Sequence, residues 1–179
     1  MRSRTGLTLV TLISGALAVL AIGSYATADS GKKNVSTGPM SGYLEGAPGG
    51  PVSSVASGSF TATIDDDAAE IDFTLTFADL EAPVLFAHIH FGQRSVNGGV
   101  AAFLCGGGGK PACPQSGTVT GTIVPADVVG PTGQGIAAGE FGELVAAIRA
   151  GRTYANVHST KFPAGEVRGQ INDDDQRDD

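Results

Sequence analysis

Tyr154-Ala-Asn-Val-His-Ser-Thr-Lys-Phe-Pro-Ala-Gly-Glu-Val-Arg-Gly-Gln170 is the stretch of sequence that decides the fold. Pro163 and Gly165 mark a turn, and on each side of it small or apolar residues alternate with polar ones. This period of two is typical of half-buried strands, so the stretch predicts a β-hairpin. One face of that hairpin would carry only hydrogen-bonding or charged side chains: Asn156, His158, Glu166, Arg168 and Gln170. Such a face is either a solvated surface or a site.

The same alternation recurs upstream, where Leu85 to Phe91 place His88 and His90 on one face of a predicted strand. The chain has three histidines, and all of them lie in these two regions. Further strands are predicted by alternation or by β-favouring composition at 43–44, 57–64, 71–77, 100–104 and 116–124. Apolar residues at i, i+3, i+4 and i+7 predict one short amphipathic helix over 140–150. Many strands, short turns and one helix indicate an antiparallel sandwich or barrel.

The N-terminal segment, residues 1–28, is typical of a secretory signal peptide. Arg2 and Arg4 precede an apolar run that is short for a membrane span, and small residues follow it at the expected cleavage site. We therefore predict a secreted protein, extracellular or periplasmic, without a stable membrane anchor after signal cleavage. The remaining chain divides into a flexible leader (29–40), one domain (41–172) and an acidic disordered tail (173–179).

Charge and cysteine content narrow the choice of partners and compartment. The formal net charge of −7 disfavours nucleic acid and anionic membranes as partners. Cys105 and Cys113 bracket a glycine-rich loop, and in a secreted chain such a pair predicts a disulfide. A metal site would need more cysteines. A phosphate-binding loop would need Ser or Thr after Lys110, where the chain has Pro111.

The histidines allow two interpretations. His88 and His90 lie two residues apart on one strand, so both rings project from the same face and can converge on one ion. With His158 they would form a three-histidine site for copper(II) or zinc. Glu166 could then serve as a fourth ligand or as a hydrogen-bond acceptor, with orienting side chains from Asn156, Arg168 and Gln170. Alternatively, all these residues form a structural polar cluster with every member hydrogen-bonded.

Several spaced motifs resemble the CHRD domain, a family named for chordin: Ala87 to His90, Asn97-Gly98, Tyr154 to Ser159 and Pro163 to Ile171. The resemblance implies an extracellular β-rich domain, but for free-standing bacterial members it implies no established activity. The glycine-rich loop between the cysteines looks like an insertion relative to the family pattern. A growth-factor antagonist role like that of chordin is unsupported, because the cysteine-rich modules are missing. The His-x-His strand also resembles part of the copper site of copper/zinc superoxide dismutase, although three histidines are too few for a dinuclear site.

These observations predict an all-β antiparallel sandwich, immunoglobulin-like or Cu,Zn superoxide dismutase-like, with one short covering helix. No catalytic arrangement can be assigned, so we expect a non-enzymatic extracellular or cell-envelope binding module with a protein or polysaccharide partner. The alternative is a mononuclear copper or zinc protein that uses His88, His90 and His158. The two differ in geometry, because a metal site requires ring nitrogens that converge within about 4 Å of one point.

Overall fold

The structure, a computed structural model, describes residues 31–46 and 48–173. The predicted signal peptide (1–28) lies outside these residues, as does the acidic tail beyond the backbone of Asp173. Within the described part of the chain, no helix is both long and apolar enough to cross a membrane.

Strands dominate the described residues: β1 (Lys32–Thr37), β2 (Met40–Ser41), β3 (Ser57–Asp65), β4 (Glu70–Ala78), β5 (Val84–Phe91), β6 (Gly99–Cys105), β7 (Gly117–Ile123), β8 (Thr153–Ser159) and β9 (Val167–Asp173). One α-helix, α1 (Phe141–Arg149), precedes β8. The predicted hairpin is confirmed as β8 and β9, and the upstream histidine strand is β5. Three short 3-10 turns complete the described elements, at Gly42–Leu44, Pro125–Asp127 and Thr132–Gln134.

The strands form an antiparallel ladder in the order β6-β5-β8-β9-β1-β3-β4-β7, while β2 pairs with both β3 and β9. The end strands β6 and β7 contact each other, so the ladder curves around one core. The predicted all-β antiparallel sandwich is confirmed. Alternating side chains of β3 and β4 point into its core, including Phe60, Ile64, Leu75 and Phe77. This burial of one residue in two explains the strict alternation seen in the sequence.

Helix α1 covers one part of this core, as its apolar pattern predicts. Its buried residues are Phe141, Leu144, Val145, Ala147 and Ile148, and it packs against β9. Glu143 lies in the first turn and Arg149 in the last, where each charge complements the helix dipole. The helix therefore covers one part of the core and contacts β9.

Two local expectations differ from the structure. Residues 29–40 were expected to form a flexible leader, but 32–37 are β1, which lies between β9 and β3 in the ladder. Backbone pairing on both sides holds β1, whose own sequence contributes few apolar side chains. Tyr43 and Leu44 were expected in a strand but lie in a 3-10 turn, where both are exposed.

The predicted disulfide between Cys105 and Cys113 is present and closes the glycine-rich loop after β6. The loop packs on aromatic side chains of the neighbouring strands. A Cβ atom on Gly107 or Gly108 would lie 2.5 or 2.6 Å from the ring of Phe103, and one on Gly106 would lie 2.4 Å from Leu85 O. The glycines are therefore needed for this close approach, and the disulfide holds the loop over Phe103.

Candidate metal centre

The three histidines converge on the face of β5 and β8 opposite the apolar core, because Ala87, Ile89, Ala155 and Val157 of the same strands point into that core. His88 Nδ1 lies 3.3 Å from His90 Nε2, which in turn lies 3.4 Å from His158 Nε2. One ligand atom from each residue lies within 4.8 Å of the other two. All three side chains are buried, with exposed fractions of 4%, 7% and 4% for His88, His90 and His158. The polar face of the hairpin is therefore an internal site and not a solvated surface.

The neighbouring strands β5 and β8 bring the rings together. Phe86 pairs with His158, and two residues further along β5 His88 pairs with Asn156, so His158 lies diagonal to His88 on the shared face. On its other side β5 pairs with β6, and the register shifts immediately before His88 and again immediately before His90. Such bulges redirect side chains and occur often beside functional sites.

Backbone carbonyls fix the orientation of two of the rings. His90 Nδ1 donates to Gly98 O at 3.0 Å, and His158 Nδ1 donates to Pro163 O at 3.1 Å. A carbonyl oxygen can only accept, so the proton of each neutral ring lies on Nδ1 and Nε2 carries a bare lone pair. Neither Nε2 can therefore donate to the other, and His90 Nε2 also lies 3.3 Å from His88 Nδ1, from which it can accept a hydrogen bond. Carbonyl partners of this kind are typical of metal-binding histidines.

The spacing of the nitrogens suits one small ion. Two nitrogens that each lie about 2.0–2.1 Å from the same ion are about 3.3–3.4 Å apart at a tetrahedral angle. Two of the separations, 3.3 and 3.4 Å, match this edge, and all three ligand atoms lie within 4.8 Å of one another. His88 offers Nδ1 to the centre, while its Nε2 is buried without a hydrogen-bond partner.

Aromatic rings surround the imidazoles. Phe86 lies against His88 and His158, with ring centroids 4.7 and 4.9 Å apart, and Phe103 packs edgewise on His88 at 4.4 Å. Tyr154 stacks on His90 with centroids 4.8 Å apart and an interplanar angle of 3°. These contacts restrict ring rotation and keep water from the lone pairs.

Burial holds the histidines in their neutral form. It lowers the pKa of His88 to about 3, with smaller contributions from the charges of His158 and His90. It also lowers the pKa of both His90 and His158 to about 4, although the carbonyl of Gly98 or Pro163 opposes the change. The neutral imidazole is the form that binds metal.

These pKa values predict acid sensitivity of the metal-free protein. An unfolded histidine titrates near 6.5, so below that pH the unfolded state takes up protons that the folded state does not, and stability decreases from about pH 6.5 to about pH 4. Glu45 acts in the opposite direction: burial raises its pKa to about 7, so its contribution to stability decreases as the pH rises from about 4.5 to 7. A Glu45→Gln background removes this opposing effect.

In that background we expect denaturant unfolding to give a clearly lower free energy of unfolding at about pH 5 than at about pH 7. The matched control replaces all three histidines by glutamine in the same background and should lose most of this difference. Equal stability of the Glu45→Gln protein at the two pH values would contradict the buried neutral cluster.

Two of the predicted orienting residues support the loop that carries Gly98. Arg168 donates from Nη1 to Val96 O at 3.1 Å and to Asn97 Oδ1 at 3.4 Å, and from Nη2 to Gln93 O at 3.0 Å. Gln170 Nε2 donates to Gly92 O and Gly151 O, both at 2.9 Å. The 92–98 loop, which supplies the acceptor for His90, is thus held by β9.

Tyr154 connects this support to the histidines. Its hydroxyl oxygen accepts from Gly98 N–H at 3.1 Å, while its ring stacks on His90 and lies 3.4 Å from Arg168 Cζ. Tyr154 was not among the predicted site residues, although its position two residues before Asn156 places it on the same strand face. That alternation was the signal that could have found it.

Asn156 and Glu166 make other contacts. Asn156 Nδ2 donates to Glu45 Oε2 at 3.4 Å. The buried Glu166 carboxylate accepts from Ser54 Oγ at 2.7 Å and from Glu81 N at 2.8 Å. Within the described residues, the group of side chains able to share an ion contains the three histidines and no carboxylate. Glu166 thus contacts neighbouring loops and does not belong to this group. Glu45, which lies in a glycine- and proline-rich turn, had no pattern that could have identified it.

Comparison with protein families matches residues 39–171 to the CHRD domain. The matched segment contains His88, His90 and His158 together with the 92–98 loop, the disulfide and helix α1. No curated protein and no solved structure matches this chain.

Proposed function

This chain belongs to the CHRD domain family, and on that premise we propose that it is a secreted domain that binds one copper or zinc ion through His88, His90 and His158. The ligand atoms would be His88 Nδ1, His90 Nε2 and His158 Nε2. An ion bound by these three nitrogens retains a free coordination position, as in metal sites that bind a further small ligand.

The single observation that carries the proposal is the contact between two bare lone pairs. His90 Nε2 and His158 Nε2 lie 3.4 Å apart, and both Nδ1 protons are committed to carbonyl oxygens. A proton on His88 Nδ1 can satisfy His90 Nε2, but the contact between His90 Nε2 and His158 Nε2 still joins two acceptors, and a cation between them removes their repulsion. A metal ion would supply that cation. A second proton on either ring would not, because the low pKa values keep both imidazoles neutral at neutral pH.

A purely structural polar cluster accounts less well for the same atoms. A stabilising buried network needs a partner for each polar group, because an unsatisfied buried atom costs about 1–3 kcal/mol. Here one contact joins two acceptors, whereas His88 Nε2 is unpartnered under either interpretation and does not distinguish them. Among the described residues, the buried histidine group is the more specific feature, so we favour metal binding over a partner-binding module.

The proposed compartment rests on two features. A disulfide between Cys105 and Cys113 indicates an oxidising environment. The segment 1–28 has the composition of a secretory signal, although it lies outside the described residues. Both support secretion of the metal-binding domain.

Metal analysis of the mature domain, produced without a histidine tag, tests the proposal. We expect one equivalent of copper or zinc after reconstitution and dialysis, and a rise in the unfolding temperature that depends on metal concentration, because the ion binds only the folded state. The matched protein has all three histidines replaced by glutamine and should retain neither metal nor the temperature shift. Equal metal content and equal temperature shifts in the two proteins would refute the proposal.

A further inference from the structure

The ligand set of the proposed site carries no charge. Three neutral imidazoles provide it, and the group of described side chains that could share the ion includes no carboxylate. A bound ion would therefore keep its full positive charge inside the protein. The charged and apolar side chains around the site then determine whether it can hold a monovalent or a divalent ion.

A fixed positive charge lies close behind the site. Arg168 is only 1% exposed, and its guanidinium carbon lies 3.4 Å from the Tyr154 ring on which His90 stacks. This guanidinium donates to neutral oxygens of Gln93, Val96 and Asn97, and the charge of the Glu45 carboxyl offsets part of its own. Its charge repels any cation at the histidines, and it repels a divalent ion about twice as strongly as a monovalent one.

Burial acts in the same direction. The free energy of transferring an ion from water into a low-dielectric interior grows with the square of its charge, so a divalent ion pays about four times as much as a monovalent one. Phe86 and Phe103 line the His88 side of the site with hydrocarbon. These rings offer no oxygen or nitrogen as a fourth ligand, so zinc would have to keep a water molecule in that position against a hydrocarbon wall.

From these three observations we propose that the site selects copper(I) over zinc(II) and copper(II). Copper(I) carries a single charge and is satisfied by three imidazole nitrogens, so it needs neither a carboxylate nor a fourth ligand. This inference rests on the proposed function and narrows it to one ion. It also replaces the sequence-based expectation of copper(II) or zinc, which took only the oxidising setting and the ligand type into account.

Paired affinity measurements on the mature wild-type domain test this selection. Copper(I), supplied as its acetonitrile complex under nitrogen with ascorbate, is titrated against a coloured copper(I) chelator, and zinc(II) is titrated against a zinc chelator. We expect copper(I) to bind at least about 1000-fold more tightly than zinc(II). Zinc binding of equal or greater strength would overturn the selection while leaving metal binding intact. If neither copper(I) nor zinc(II) binds, the proposed function itself is overturned.

The Arg168→Met variant tests the electrostatic cause. The affinities for copper(I) and zinc(II) should both fall, because the 92–98 loop loses its support. The ratio of the copper(I) affinity to the zinc(II) affinity should decrease by about tenfold, because the fixed charge is removed. The exposed Arg152 provides the control, and Arg152→Met should leave the ratio unchanged. An unchanged ratio in Arg168→Met would contradict the role of Arg168. If that variant does not fold, the wild-type affinities alone decide the proposal.

Discussion

Replacement of His90 by alanine is expected to abolish tight metal binding, with a loss of affinity of at least about 100-fold, more than is typical when only an outer hydrogen-bond partner is removed. His90 Nε2 is the nitrogen that contacts both other ligand atoms, at 3.3 Å from His88 Nδ1 and 3.4 Å from His158 Nε2. Without His90, the imidazoles of His88 and His158 lack the ligand nitrogen that lies next to both of them. Titration of copper(I) and zinc(II) into the wild-type and His90→Ala domains measures the loss of affinity.

The control for this variant is Thr120→Ala, because Thr120 lies in β7 and its side chain is exposed. This change should leave metal affinity unaltered. Circular dichroism is needed to verify that the His90→Ala domain remains folded. A folded His90→Ala protein that binds either metal as tightly as the wild type would contradict the three-histidine site.

Replacement of Arg168 by lysine is expected to lower the free energy of unfolding by about 2–4 kcal/mol. Arginine uses two guanidinium nitrogens to reach oxygens of three loop residues and stacks on Tyr154. A lysine ammonium keeps the charge but cannot span these acceptors or stack as a plane, so buried oxygens lose their donors. Urea denaturation of the metal-free proteins measures the loss.

Arg152→Lys is the matched control, since Arg152 is exposed and the same exchange there should change stability by no more than about 0.5 kcal/mol. Metal affinity provides a second readout, because Arg168 supports the loop whose Gly98 oxygen orients His90. We expect Arg168→Lys to weaken metal binding by about 10- to 100-fold. Stability and affinity equal to those of the wild type would show that Arg168 does not hold this loop.

The sequence identified the strands that build the site because apolar and polar side chains alternate along them, although β8 is buried on both faces. Tyr154 to Gln170 and Leu85 to Phe91 correspond to the hairpin β8–β9 and to β5, and their polar residues share the predicted face. The helix over 140–150 agrees with α1 to within one residue at each end. These elements could be predicted because period and end signals are local properties of the chain.

Long-range contacts could not be predicted in the same way. The backbone oxygens of Gly98 and Pro163 orient two histidines, yet any residue type carries a carbonyl oxygen. Glu45 reaches Asn156 across 111 positions of the chain, and β1 gains its order from pairing with β3 and β9. In each case the partner is defined by the fold and not by the neighbouring sequence.

Anomalous diffraction from a crystal of the copper-loaded domain would test the central claim most directly. The account predicts one copper peak at about 2.0–2.1 Å from His88 Nδ1, His90 Nε2 and His158 Nε2. Copper bound elsewhere, or no ordered copper between the three rings, would contradict it.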